Sequence, residues 1–339
     1  MWRAMVDSSN VALPHQRWAV TGATGLVGNN LVRTLVARGA HVRVLARKAP
    51  RREFADLDVE QIEGDLGDVA ALARTFDGAE CVVHAAAMVD IRYGGREEMT
   101  KVNVGGTQSV LRALPPGARF VHVSTVDAIG LAPGGAPANE DTPTRPEEEG
   151  VPYVDTKRAA DRLVLASNSD FVIVYPTYML GRWDWKPSSG RMILEIAKGK
   201  GAFAPGGGNN FVHIADVVDA LIVAAGKSRG CRWILGNQDL SYREAWSIMA
   251  EVTGARRPLA TLPHWLGASA AAILSAANSL GLPEGDINAA STTMSFIPHY
   301  FDATRARNEL GMRQTPIRTA IADAWSWFNE QGYGRARRP

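Results

Sequence analysis

Two cysteines in 339 residues leave no disulfide framework to build on. Cys81 and Cys231 lie far apart, each inside an apolar run, and read as reduced core thiols. An excess of one charge is missing as well. The 37 basic and 35 acidic residues leave a formal net charge of +2, so composition points to no polyanionic partner, and no nucleic acid is expected. Residues 1–16 hold no apolar run of signal-peptide length and read as an irregular extension, with a cytoplasmic location expected. There is no internal repeat, no low-complexity tract and no metal-ligand spacing, so no metal is expected. Leu262–Pro283 carries no Lys, Arg, Asp or Glu, yet Pro, Gly, Ser, Asn and His interrupt it. A membrane span wants about 20 strongly apolar residues. The stretch reads as buried or interface helices; a monotopic membrane contact or the wall of a greasy pocket is the alternative. Arg335-Ala336-Arg337-Arg338 reads as a solvated basic tail within 334–339.

What is present is an alternation. Apolar runs at Trp18–Thr21, His41–Ala46, Val59–Glu63, Glu80–Ala85, Arg119–Val123 and Phe171–Tyr175 read as strands. Helical spacing falls between them at Gly25–Arg38, Val69–Thr75, Glu97–Leu114 and Val154–Ser167. Continuous apolar strands alternating with helices imply α/β architecture, a Rossmann-like doubly wound parallel sheet covered on both faces. Gly130–Gly150 reads as a long surface loop, a flap or a disordered segment. After Tyr175 the pattern changes. Helices are expected at Met192–Lys198, Asp216–Ala225 and Tyr242–Thr253, a turn at Gly206–Asn210, and strands at Phe211–Ile214 and Cys231–Leu235. The resulting division is a nucleotide-binding domain over 17–180, which also receives about 211–236. A smaller, mostly helical substrate lobe takes 181–210 and 237–333. A homodimer is compatible with this plan.

Arg17–Thr21 runs into Gly22-Ala23-Thr24-Gly25-Leu26-Val27-Gly28, a strand, a glycine turn and a helix start. In the spacing Gly-x-x-Gly-x-x-Gly the glycines have separate roles. Gly22 allows the turn, Gly25 gives backbone N–H groups access to a pyrophosphate, and Gly28 permits close helix packing. A pyrophosphate would sit at the helix N-terminus, and Gly22, Thr24, Gly25, Leu26, Val27 and Gly28 are its candidate contacts.

The end of the second strand sets the cofactor. NAD enzymes usually place an acid there for the adenosine ribose, whereas this chain has Ala46 followed by Arg47-Lys48. Two cations and no carboxylate suit a 2′-phosphate, so NADP(H) is preferred and NAD(H) remains possible. Asp65, followed by Leu66, is placed to meet the adenine amino group or to cap the helix near Val69. The small Ala85-Ala86-Ala87 lets a ribose-nicotinamide approach the fourth strand, and His84 reads as a packed strand histidine.

Two features carry chemistry. Ser124-Thr125 ends the fifth strand at the edge where such sheets bind ligands. Tyr153-x-x-x-Lys157 puts a phenol and an ammonium on one helix face. The ammonium, together with a positive nicotinamide ring, is expected to lower the Tyr153 pKa, so that Tyr153 exchanges a proton with a substrate oxygen held by Thr125.

The set Thr21-Gly22-x-x-Gly25-x-x-Gly28, Asp65, Asn103, Ser124-Thr125 and Tyr153-x-x-x-Lys157 resembles the extended short-chain dehydrogenase/reductases, the NAD-dependent epimerase/dehydratase superfamily. Within it, Pro187–Arg191, Asn210–Val217, Trp233–Gly236 and Trp325–Phe328 resemble the dihydroflavonol-4-reductase-like and hopanoid-associated sugar-epimerase-like group. The resemblance implies that Thr125 is the catalytic hydroxyl and that Lys157 binds the nicotinamide ribose. It also implies that Pro176-Thr177-Tyr178 flank the nicotinamide and that Asn103 braces the central helix. Relatives acting on nucleotide sugars usually carry an Arg where this chain has Asn209, and the dehydratases two acids where it has Val126-Asp127. The expected activity is therefore NADP(H)-dependent hydride transfer at a carbonyl or alcohol of a hydrophobic or medium-sized small molecule without a nucleotide. The alternatives are a nucleotide-sugar epimerase or dehydratase, or a non-catalytic NADP(H) sensor. Met88, Val89, Asp127, Tyr178 and Arg182 are the candidate substrate contacts, a plain loop position being the alternative for Asp127. Trp183 and Trp185 form either an aromatic wall there or part of the core.

Overall fold

The computed structural model describes residues 12–90, 95–144, 150–263 and 289–333, together with 265–267, 269 and 274. The basic tail, most of the N-terminal extension and most of Leu262–Pro283 lie outside the described residues. Among the described residues no helix is long and apolar enough to cross a membrane.

The strands in chain order are β1 (Arg17–Thr21), β2 (His41–Ala46), β3 (Glu60–Glu63), β4 (Cys81–His84), β5 (Arg119–Val123), β6 (Asp170–Pro176), β7 (Tyr178–Leu180), β8 (Phe203–Ala204), β9 (Gly208–His213), β10 (Arg232–Leu235), β11 (Gln238–Ser241), β12 (Ala260–Thr261) and β13 (Pro298–His299). Seven of them form one parallel sheet in the order β10-β6-β5-β4-β1-β2-β3. The order reverses at β1. The crevice beyond the carboxyl ends of β1 and β4 is where doubly wound sheets take ligands.

The pleat explains why these strands are apolar throughout. In β1, Trp18 and Val20 enter one core while Ala19 enters the other; in β6, Val172 and Val174 oppose Phe171, Ile173 and Tyr175. The first core also receives Leu31 and Leu35 of the helix Leu26–Ala37, and Val217 and Leu221 of Ile214–Ala224. Cys81 and Cys231 are both free thiols.

A second, smaller sheet is centred on β9, which pairs with β7 and β13 in parallel and with β11 antiparallel. The expected turn at Gly206–Asn210 is instead largely strand. Its glycines serve close packing: a Cβ on Gly207 would lie 2.6 Å from the Ile297 carbonyl, and one on Gly208 would lie 2.5 Å from that of Leu240. The helices Arg191–Ala197, Tyr242–Thr253 and Ile317–Glu330 close a separate core over this sheet.

The loop after β5 is packed down in its described part, 130–144. A Cβ on Gly130 would fall 1.9 Å from the Pro143 carbonyl. The buried Glu140 accepts the Ile234 amide at 2.9 Å, and Ala138 bridges to Phe301.

One clamp joins the first helix to the segment after β7. Arg33, 1% exposed, donates to Asp56 and to the Glu53 carbonyl, and its guanidinium lies 3.5 Å from the centre of the Trp183 ring. One turn earlier Asn30 donates to the Arg182 carbonyl at 2.9 Å. Trp183 has φ 67°, a left-handed backbone that a bulky residue adopts only under outside constraint.

Candidate active site

The glycine turn is built for close approach. Gly22 has φ 71°, and a Cβ there would sit 2.4 Å from the backbone of Ala85-Ala86. A Cβ on Gly28 would sit 2.3 Å from the Gly22 carbonyl. Turn, β4 end and helix start therefore meet with no room for a side chain. Gly25 caps the helix without a side-chain hydrogen bond, and no acid lies in the first turn, so Leu26, Val27 and Gly28 begin a positive helix end suited to a pyrophosphate. These residues fit a dinucleotide. The adenosine side fits too. Ala46 ends β2 buried, while Arg47 and Lys48 are exposed and make no ion pair or hydrogen bond among the described residues. Arg51 and Arg52 are otherwise engaged, the first with Glu53 and the second over the Trp185 ring at 5.4 Å. The nearby Glu63 carboxylate accepts the Ala49 amide at 3.2 Å.

Asp65 is not the helix cap. Asp68 is, accepting the Ala71 amide at 2.9 Å, while Asp65 folds one oxygen onto the Gly67 amide at 2.8 Å and is otherwise exposed. Leu66 packs against Gly106. His84 is packed as expected, bonded to Thr21 at 2.7 Å and Thr107 at 3.1 Å, with burial holding its pKa well down.

Tyr153, Thr125, Asp127 and Lys157 come together beyond the end of β5. The helix carrying Tyr153 begins at Pro152, two residues earlier than expected, because proline is pre-set for a first helical position. The Lys157 ammonium is buried and donates to the Val123 carbonyl at 3.0 Å. Burial pulls its pKa down and the Asp161 carboxylate opposes this. Asp161 also accepts from Ser124 at 2.9 Å and faces His122 at 3.1 Å, so Ser124 points into the structure while Thr125 faces the site. Thr125 donates to Asp127 at 3.0 Å. Tyr153 is buried where it meets these groups. Burial pushes its phenol above the ordinary value, the Asp127 charge adds to that, and the bond with Thr125 only partly offsets it.

Asn103 lies on a π-helical turn, Thr100–Gly105, inside what reads as one long helix. Its amide grips the Met88 backbone at 2.7 and 3.0 Å and donates to Thr156 at 3.1 Å, whose hydroxyl returns to the Tyr153 carbonyl at 3.0 Å. Met88 packs with Tyr153, whereas Val89 is 62% exposed. Pro176 ends β6 and the Thr177 amide bonds the Leu235 carbonyl, so Tyr178 starts β7 beside β9. Tyr178 packs with its ring tilted 5.0 Å from that of Phe211 and donates to the Ser189 carbonyl at 2.9 Å. Burial raises its pKa, and so does Tyr242.

One candidate substrate contact is engaged elsewhere, and two tryptophans take the core alternative. Arg182 commits its guanidinium to Glu330, one bond at 3.1 Å and a second shorter one, and so ties β7 to the last helix. Trp183 meets Trp327 with tilted rings at 6.2 Å and Trp185 meets it edge-on at 5.3 Å, both packed on the core over the second sheet. Conversely, Tyr242 carries no local signal in the sequence. Its phenol bonds Asn209 and feels the Asp127 charge. Asn209 therefore presents a neutral amide where relatives usually carry an arginine.

Residues 18–234 match the family model described as the NAD dependent epimerase/dehydratase family. The chain is 36% identical to the sterol demethylase protein B of Methylococcus capsulatus, over 92% of this chain and 98% of that protein. It is 31% identical to the "Putative dihydroflavonol 4-reductase" of Synechocystis sp., over 98% and 97%. Among solved structures it superposes on a nucleoside-diphosphate-sugar epimerase from Pseudomonas aeruginosa with TM-score 0.77 and 25% identity, covering 94% of this chain and 99% of that one.

Proposed function

Since this chain belongs to the NAD dependent epimerase/dehydratase family, we propose that it is an NADP(H)-dependent reductase of a carbonyl on a hydrophobic or medium-sized substrate without a nucleotide. The observation that carries the reading is the convergence of Tyr153, Thr125 and Lys157, with the amide of Asn209 and the carboxylate of Asp127 beside them. The bound cofactor supplies a hydride. The phenol of Tyr153 gives its proton to the oxygen on which charge develops. Thr125 holds that oxygen, and the Lys157 charge favours the sugar hydroxyls of the cofactor. Arg47 and Lys48 are free to pair with a 2′-phosphate.

A diphosphate-bearing sugar gains little here, because Asn209 offers no fork of donors and Asp127 repels it. The relatives named for sterol and dihydroflavonol chemistry support a substrate without a nucleotide. The second reading, a nucleotide-sugar epimerase, draws on the structure titled as one. Assaying NADPH consumption over aldehydes, ketones and flavonoid- or steroid-like carbonyls decides between them, alongside thermal shifts with UDP- and dTDP-sugars. Reduction of a carbonyl with no shift supports the proposal. A clear shift with a nucleotide sugar and no carbonyl turnover refutes it.

A further inference from the structure

Thr125 has one proton to give, and the fold has already placed it. Its Oγ1 donates to Asp127 Oδ2 at 3.0 Å and accepts the Asp127 amide at 3.3 Å, because the short turn Val126–Ala128 folds the carboxylate back over the hydroxyl. A hydroxyl offers one donor and two acceptor sites. The Tyr153 phenol lies beside the same hydroxyl, close enough for it to bear on the phenol's titration. A carbonyl oxygen arriving at Thr125 in this arrangement therefore meets lone pairs, which repel it.

Asp127 is the other half of the problem. It is half-buried, and among the described residues it has no cationic partner and no donor to Oδ1. The charge lies close enough to Tyr153 and Tyr242 to act on both phenols. A plain ketone can win the Thr125 proton only by breaking a charge-assisted bond and leaving this carboxylate short of a partner.

We infer that Asp127 is a specificity-determining residue whose partner comes from the substrate. A hydroxyl or amine on an atom next to the reacting carbonyl donates to Asp127, and the Thr125 proton is thereby released to the carbonyl oxygen. The number of hydrogen bonds to Asp127 is conserved in the exchange, and one is gained at the carbonyl. This rests on the carbonyl-reductase reading and adds to it what must flank the carbonyl.

The test uses the full chain with NADPH and a matched pair of long-chain ketones, one bearing a hydroxyl on the adjacent carbon. The wild type is expected to favour the hydroxyketone in kcat/KM by roughly ten- to a hundredfold, the range of one hydrogen bond to a charged group. In Asp127→Ala the ratio falls toward one, largely because the plain ketone improves once Thr125 is released. Asp127→Asn, which keeps an acceptor oxygen, gives an intermediate ratio. A residue that only held the loop would lower both substrates together and leave the ratio unchanged. An unchanged ratio, or a wild-type preference for the plain ketone, overturns the inference alone. Turnover of neither ketone overturns the reductase reading and the inference with it.

Discussion

The ammonium of Lys157 is fastened 3.0 Å from the carbonyl of Val123, two residues before Thr125 on the same strand end. Helix and strand are thus pinned to one another beside Thr125 and Tyr153. Tyr153, four residues before Lys157, is set relative to Thr125 by that fastening. Removing the phenolic oxygen should act on chemistry rather than on binding. Tyr153→Phe is expected to lower kcat by about 10²–10⁴-fold while cofactor affinity, read by fluorescence titration, stays nearly unchanged. Wild-type turnover in this variant would remove Tyr153 from the proposed mechanism.

Arg47 and Lys48 lie exposed beyond a buried Ala46, with neither side chain engaged among the described residues. Arg47→Ala should raise the KM for NADPH roughly tenfold or more, on the scale of one charge-assisted bond, and leave that for NADH nearly constant. Equal rises for both cofactors would show that Arg47 does not read the 2′-phosphate.

Asn103 satisfies both backbone groups of Met88 and the hydroxyl of Thr156 from a buried position. Asn103→Ala strands those groups, at a cost of about 1–3 kcal/mol for an unmet buried partner. The melting temperature and kcat should both fall, since Thr156 is what joins Asn103 to the Tyr153 backbone. A variant with full kcat at assay temperature would separate the brace from catalysis.

Asp184 yields a prediction in pH. Burial raises its carboxyl from 3.8 to about 6, against hydrogen bonds from Ser188 and Gly190. The folded value lies above the unfolded one, so the stabilising contribution is complete at the acid end and is lost as pH rises through about 6. Asp184→Asn cannot titrate. Its stability relative to wild type should therefore improve between about pH 4 and 7, by up to about 3 kcal/mol, as read from denaturant melts at each pH. A difference that does not vary with pH would contradict the assignment.

Much of this site is legible in the sequence because its signals are local. The glycine turn needs left-handed φ and bare backbone at fixed spacing, and Tyr153 and Lys157 share a helix face by periodicity alone. What escapes a reading of the sequence depends on distant partners. Arg182 meets Glu330, 148 positions away, and nothing near Arg182 announces it. Tyr242 and Asn209 meet only because β9 and β11 pair. Asn103, which the family resemblance marks as a brace, finds its particular partners Met88 and Thr156 from a π-turn, a register change that leaves no mark in the spacing of apolar residues. The strands β7, β12 and β13 span two or three residues, too few to show an alternation.

The stack of Arg33 on Trp183 has a consequence for anyone recombining this family. Arg33 belongs to the helix that starts at the glycine turn, and Trp183 to the chain leaving the sheet for the lobe. The two halves are therefore not interchangeable cassettes. A chimera that replaces the chain after β7 with a foreign one would leave Arg33 held by Asn29, Asp56 and the Glu53 carbonyl but without its ring. Transplanted lobes should work only when the donor brings its own aromatic ring to that position, which makes Arg33 the first residue to inspect at such a junction.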